Sequence, residues 1–404
     1  MAELREKLEA DYRELIDKEK ATLSELERSI KTRLRRWANP AAELALNWHY
    51  DRSKSLTVAE PVARVSIGED DFLGEVPRLG HGMQRSFLLA VLQELASSDQ
   101  ETGPTLLLGF EEPELYQHPP QAQHIASVLQ QLAATTEGNT QVIITTHSPY
   151  FVSARGFENV RLIRKCRENK CSLVRASTYE QVEQRLSEAL DETPRAPSVL
   201  MTKIEQIMQP SQRELFFTPV AVLVEGIEDV AFISTHLELT EKWDAFRETG
   251  CHFIVCAGKS LLSRPLAIAQ ALGIPCFTVF DSDADETNED QRQQHSIDNA
   301  CVLRLCGLRT GEFEPLPTED LWSDSVVMWR TNIADVVRAD VGEETWGAAE
   351  QRARNEKGFN EGVRRKNNML ISATLEQLDS EGTRSSLLSR LCAHLLKFAE
   401  GDSR

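Results

Sequence analysis

From residue 220 the chain alternates apolar runs with amphipathic stretches: strand at 220–224, helix at 228–237, strand at 252–256, helix at 261–271, strand at 275–280. Strands separated by helix-length connections pair in parallel, so the pattern predicts a parallel sheet with crossover helices. Two of the runs end in carboxylates. Ala221-Val222-Leu223-Val224 leads into Glu225-Gly226-Ile227-Glu228-Asp229, and Cys276-Phe277-Thr278-Val279-Phe280 leads into Asp281-Ser282-Asp283. Side chains at the carboxyl ends of neighbouring parallel strands converge. Glu225, Asp229, Asp281 and Asp283 gathered in this way would repel one another unless a hard cation, Mg²⁺ or Mn²⁺, neutralised them through oxygen ligation. Either motif alone also fits a helix cap at Glu225 or a solvated turn at 281–283. Both together, in this order, favour a cation site and phosphate chemistry.

At 404 residues, 41% of them hydrophobic, the chain has room for two domains or more, each with a core. Its net charge of −18, from 63 acidic and 45 basic residues, argues against a surface that coats nucleic acid, but not against local basic patches around an acidic site. The basic run Arg28–Arg36 reads as a solvated helix face. The eight cysteines form no Cys-x-x-Cys; the pairs Cys166/Cys171, Cys251/Cys256 and Cys301/Cys306 lack zinc-ligand spacing and read as thiols in a reducing compartment. With no signal-like start and no apolar stretch of membrane length, the expectation is a soluble, cytoplasmic protein with no membrane partner.

Residues 2–37 carry Leu4, Leu8, Tyr12, Leu15, Leu23, Leu26, Ile30, Leu34 and Trp37 at helical spacing among charges, the pattern of a long helix or one leg of a coiled coil. A strand is expected over 56–67, a helix over 84–97, a buried strand over 105–110, a helix over 120–133 and a second buried strand over 141–146. A hairpin over 159–163 and 172–176 precedes a polar helical stretch, 177–215, interrupted by Thr193-Pro194-Arg195-Ala196-Pro197. After 302 the pattern weakens, and 343–400 reads as mostly helical.

The first half holds a second constellation. Leu79-Gly80-His81-Gly82-Met83-Gln84-Arg85-Ser86 opens a helix with glycines whose backbone N–H groups suit a phosphate. The strand Leu106–Phe110 ends in Glu111-Glu112-Pro113-Glu114, and the strand Val142–Thr146 ends in His147-Ser148-Pro149. In P-loop ATPases such an element places one carboxylate near Mg²⁺ and the next beside the attacking water, and a histidine placed like His147 can reach the γ-phosphate. Each piece is weak alone; the order is specific. Over residues 70–155 it resembles the signature, Walker B and switch-histidine elements of ABC-type ATPases. Gly82, Glu111, Glu112 and His147 are then the nucleotide-binding candidates. No Gly-x-x-x-x-Gly-Lys-Ser/Thr occurs; Ala257-Gly258-Lys259-Ser260 has Phe253 where the first glycine belongs. ATP is therefore expected only if a Walker A loop is supplied. That absence, with a helix that starts abruptly at residue 1, leads to the expectation of further sequence upstream.

The Glu-Gly and Asp-Ser-Asp motifs resemble a TOPRIM domain, and an ABC-type ATPase followed by TOPRIM resembles the OLD (overcoming lysogenization defect) family of nucleases. The resemblance covers roughly residues 70–400. It implies an α/β fold: the C-terminal portion of an ABC-type ATPase joined to a TOPRIM parallel sheet with C-terminal helices. The expected divisions are a helical arm at 1–37, the ATPase part at 38–176, a helical connector at 177–215, TOPRIM at 216–342 and a helical region at 343–404. It implies two metal ions held by Glu225, Asp229, Asp281 and Asp283, with Glu225 also in proton transfer and Ser282 placed to meet a phosphate or water. A later acidic ligand is assigned to Asp335, with Glu319 as alternative, and a transition-state lysine to Lys366. Gly258-Lys259 either approaches a phosphate or turns the chain.

The five tyrosines, Tyr12, Tyr50, Tyr116, Tyr150 and Tyr179, all precede the TOPRIM motifs, which disfavours a topoisomerase nucleophile there. The expected function is metal-dependent DNA endonuclease, ATPase-regulated in the full-length protein, acting on DNA as a homodimer. The alternative is a non-catalytic ATPase/TOPRIM partner or DNA-binding module in repair or phage defence.

Overall fold

The computed structural model describes residues 10–11, 14–15, 18–37, 39–49, 62–69, 72–97, 106–134, 140–153, 155–166, 170–207, 209–359 and 367–402. The chain divides into two compact units, Met1–Phe151 and Val152–Arg404.

In the first unit, β1 (Ala42–His49), β2 (Val62–Glu69) and β3 (Phe72–Glu75) form an antiparallel sheet, and β4 (Leu106–Glu111) pairs in parallel with β5 (Thr140–Thr145). The expected strand over 56–67 is described only from Val62, and β1 and β3 are additions to the sequence reading. The helix Lys20–Trp37 buries Leu23, Ile30, Leu34 and Trp37 against Leu44, Ile67 and Leu129. Over these residues it is a packed core element; the start of the expected 2–37 helix lies mostly outside the described residues.

The second unit opens with the hairpin β6 (Leu162–Cys166) and β7 (Cys171–Arg175). Its main sheet runs β11-β12-β10-β8-β9, with β8 (Val220–Val224), β9 (Cys251–Val255), β10 (Cys276–Asp281) and β12 (Val326–Trp329) parallel and β11 (Leu321–Ser323) antiparallel at the edge. Every residue of β8 is buried, which is why the strand reads as an unbroken apolar run. Alternate side chains serve opposite faces. Ala221, Leu223, Phe280 and Met328 meet the helices Lys259–Leu272, Glu289–Leu305 and Tyr179–Leu190. Val222, Val224, Val279 and Trp329 meet Ile227–Leu239 and the C-terminal helices Glu343–Lys357, Asn368–Ser380 and Ser386–Asp402. The 177–215 stretch is polar outside and apolar inside: Val182, Leu186, Leu200 and Ile204 are buried in the same core as β8. Arg304 Nη1 ties that layer down by donating to Ala189 O at 2.7 Å.

Chain order fixes where a site can form. From β8 the chain passes to β9 on one side, then to β10 on the other. This reversal is the switch point of an open α/β sheet, and it leaves a crevice outside the carboxyl ends of β8 and β10.

Candidate functional site

Glu225 directly follows β8 and Asp281 is the last residue of β10, so the two motifs sit side by side. Asp281 N donates to Glu225 Oε1 at 3.2 Å. Asp229 stands in the first turn of the helix Ile227–Leu239, and its Oδ2 accepts from Gly226 N at 2.8 Å. That bond caps the helix and also holds the carboxylate, 2% exposed, beside the strand ends. Asp283 adopts a left-handed φ of 51°, which turns the loop back over the crevice.

The loop is braced from below. Ser282 N donates to Trp329 O at 2.8 Å and Ala284 N to Arg330 O at 3.0 Å. Ser282 is fully buried and its hydroxyl donates to Arg330 O, so it braces the loop instead of meeting a phosphate or water. Asn299, also fully buried, donates from Nδ2 to Ser282 O at 2.9 Å and to Pro315 O at 2.7 Å.

A lysine completes the cluster. Lys259 starts the helix Lys259–Leu272 behind Gly258, whose φ of 122° an L-residue adopts only with strain. Its Nζ donates to Asp281 O at 2.9 Å and to Asp283 Oδ2 at 2.7 Å, and His295 Nδ1 lies 3.7 Å from the same oxygen. Of the two readings of Gly258-Lys259, the structure supports neither alone: the glycine turns the chain and the lysine faces the carboxylates.

The electrostatics record the crowding. Burial pushes the Glu225 carboxyl up to about 8; Lys259 and the Asp281 N–H pull it down, and Asp229 and Asp283 push it up. Burial, then Asp229, Glu225 and Asp283, raise the Asp281 carboxyl well above the usual range, against Lys259. Asp281 Oδ1 is buried and has no hydrogen-bond partner among the described residues. An all-oxygen donor set with an unsatisfied buried carboxylate oxygen fits a hard divalent cation. Among the described residues no group of three or more His, Cys, Asp or Glu is already arranged around a metal position. The carboxylates instead face in-built donors: Gly226 N, Asp281 N and the Lys259 ammonium.

Asp335 lies elsewhere in its bonding. It occupies the first turn of the helix Ile333–Val341, where Asp335 N donates to the Asn332 cap at 3.0 Å and Asp335 Oδ1 pairs with Arg338 at 3.6 Å. It is not among the leading influences on Glu225 or Asp281. Glu319 is an exposed loop residue, and Lys366 lies outside the described residues.

In the first unit, β4 and β5 place Glu111 opposite Thr145. Glu112 follows with a left-handed φ of 44°, and its Oε1 lies 3.6 Å from His147 Nε2. Glu114, quoted in the motif but given no role by sequence reasoning, accepts from Thr146 Oγ1 at 2.7 Å and His147 N at 2.9 Å, fixing the loop that carries the histidine. Gly82 sits in the first turn of the helix His81–Ser97, where a Cβ would come within 3.1 Å of Tyr116 O. Arg85 Nη1 donates to Glu112 O at 2.6 Å.

Residues 1–152 match the AAA ATPase domain family, and residues 216–283 match the TOPRIM domain of overcoming lysogenization defect protein-like proteins. The chain is thus an α/β protein with an ATPase-like N-terminal region and a TOPRIM-like parallel-sheet domain followed by helices. It is homologous to the OLD-family nucleases. It is 26% identical over 251 residues to the OLD nuclease of Thermus scotoductus, spanning 60% of this chain and 44% of that protein. It is 26% identical over 219 residues to the Old nuclease of Escherichia phage P2, spanning 53% of this chain and 35% of that protein. The matches therefore span less than half the length of these relatives. The C-terminal region of the Xanthomonas campestris pv. campestris OLD protein aligns at 15% identity and a TM-score of 0.24, over 46% of this chain and 86% of that one, too loosely to bear on the fold. No helix among the described residues is long and apolar enough to cross a membrane.

Proposed function

We propose that this chain carries the cleaving site of a divalent-metal-dependent DNA endonuclease, regulated in the full-length protein by its ATPase-like region. One observation carries the reading most: half-buried carboxylates from adjacent parallel strands meet at the sheet's switch point, and Asp281 Oδ1 is buried and without a partner among the described residues. The relatives named as OLD nucleases support it.

Glu225, Asp229, Asp281 and Asp283 would hold Mg²⁺ or Mn²⁺, as a pair of ions. Bound there, the ions would supply an activated water and neutralise the leaving oxygen of a phosphodiester. The chain's own residues orient and buffer. Asn299 and Ser282 fix the Asp281–Asp283 loop through backbone contacts. In the metal-free site Glu225, raised to about 8 chiefly by burial, can hold a proton near neutral pH, and an ion bound beside it would favour that proton's release. Asp335 as a further ligand and Lys366 as a charge-stabilising group remain part of the proposal, as do DNA as substrate and a homodimer. Glu111, Glu112, His147 and Gly82 would meet a nucleotide whose Walker A loop is supplied from elsewhere.

Purified chain should nick supercoiled plasmid with Mg²⁺ or Mn²⁺, and Asp281→Ala should abolish nicking while the protein stays folded. Plasmid left intact by folded chain across divalent metals would refute the endonuclease reading. One observation favours a second reading, a non-catalytic docking platform: Lys259 already neutralises Asp283 without metal. A platform would bind DNA or its partner equally well after Asp281→Ala.

A further inference from the structure

Lys259 is oddly placed for a lysine. It is 6% exposed, and it occupies the first position of a helix, the end where the helix dipole disfavours a cation. Burial of an ammonium at such a point requires close acceptors and a counter-charge, and it has them: the Asp281 carbonyl at 2.9 Å and the Asp283 carboxylate Oδ2 at 2.7 Å. Both partners belong to the loop proposed to hold divalent ions. Glu225 and Asp281 each feel this same lysine as the charge that draws their carboxyls back down.

Resting on the metal-site reading, we propose that Lys259 is a tethered internal cation that competes with divalent ions for Asp283. It fills one cation position of the metal-free site, and its displacement sets the affinity and the number of ions bound. The competition is steric as well as electrostatic. The ammonium and a divalent ion drawn to Asp283 Oδ2 would compete for one carboxylate oxygen, so the lysine must leave it for an ion to take its place. Lysine's four-carbon stem allows the ammonium to leave while the helix stays in place.

The test is a Mn²⁺ titration at fixed pH, by calorimetry and by the electron paramagnetic resonance signal of free Mn²⁺, on wild type, Lys259→Met, Lys259→Gln and Asp281→Ala. Both neutral variants should bind Mn²⁺ about tenfold or more tightly than wild type, or gain an ion. Lys259→Gln keeps a donor for Asp281 O, and supplies the readout if Lys259→Met does not fold. Wild-type binding that Asp281→Ala removes but Lys259→Gln leaves unchanged or weakens overturns the role of Lys259 while the metal site stands. Absence of Mn²⁺ binding in wild type and in both Lys259 variants overturns the metal site itself.

Discussion

Replacing Asp281 by Asn should stabilise the metal-free protein, against the usual result for a buried polar residue. Asp281 is crowded by Asp229, Glu225 and Asp283, and its Oδ1 has no partner among the described residues. The combined cost of burial and repulsion in this cluster is bounded by the neighbouring Glu225, where burial is the largest cause. Burial and the surrounding carboxylates move Glu225 from 4.5 to about 8, and a pKa unit corresponds to about 1.4 kcal/mol, so the ceiling is about 5 kcal/mol. Relaxation and water entry in the unliganded crevice reduce this, and a gain of about 1–3 kcal/mol at pH 8 in EDTA is expected. The gain has a definite pH dependence. Glu225 binds its proton more tightly folded than unfolded, so between 4.5 and about 8 the wild type loses stability as pH rises. Asp281, itself raised well above the usual range chiefly by burial, adds to that slope in the wild type, and the variant loses this contribution. Urea unfolding of both proteins at pH 5 and pH 8, with EDTA and with saturating Mn²⁺, measures the effect. With Mn²⁺ the order should reverse, since an ion at 100 times its dissociation constant adds about 2.7 kcal/mol to the protein that binds it. An Asp281→Asn protein less stable than wild type in EDTA at pH 8, or one whose difference does not change with pH, refutes the reasoning.

Three further outcomes follow from the same structure. Asn299→Ala should cost about 2–3 kcal/mol, because it strips donors from the Ser282 and Pro315 carbonyls inside a fully buried site, and it should also weaken Mn²⁺ binding; equal affinity in a folded variant would show that the brace does not matter to the site. His236 is held down to about 4, chiefly by burial and then by Arg384 and Lys242, so its contribution to stability is present above about 6.5 and lost as pH falls towards 4; His236→Gln should flatten acid unfolding over that window, read by circular dichroism against pH. ATP hydrolysis by this chain should be negligible and insensitive to Glu112→Gln, since no Walker A loop is present; robust turnover lost in that variant would contradict it.

The sheet was legible because a parallel strand buried on both faces is written as a continuous apolar run, as in Val220–Val224 and Cys276–Phe280. The same logic fails for β11 and β12, only 3 and 4 residues long, where no period can establish itself. Over 177–215 the polar surface hides the packing: Glu180, Gln184 and Arg185 face outward while Val182 and Leu186 enter the core. Asp335 illustrates the competition between local and tertiary roles. Asn332 three residues ahead of it writes a helix cap, and its bonds are local, to Asn332 and Arg338. Lys259 was visible only as a residue after a glycine, because its partners, Asp281 and Asp283, are brought to it by strand order and not by sequence spacing. Glu114 was quoted for its motif, yet its work at His147 depends on the pairing of β4 with β5.

The central claim is that Glu225, Asp229, Asp281 and Asp283 form a divalent-ion site for phosphodiester cleavage. A crystal of this chain soaked in Mn²⁺ and measured for anomalous scattering tests it most directly. The account predicts anomalous peaks about 2.0–2.3 Å from oxygens of Asp281 and Glu225, with the Lys259 ammonium moved off Asp283 where a second ion binds. A difference map with no anomalous density among these carboxylates at saturating Mn²⁺, and Lys259 still clamped on Asp283, would contradict it.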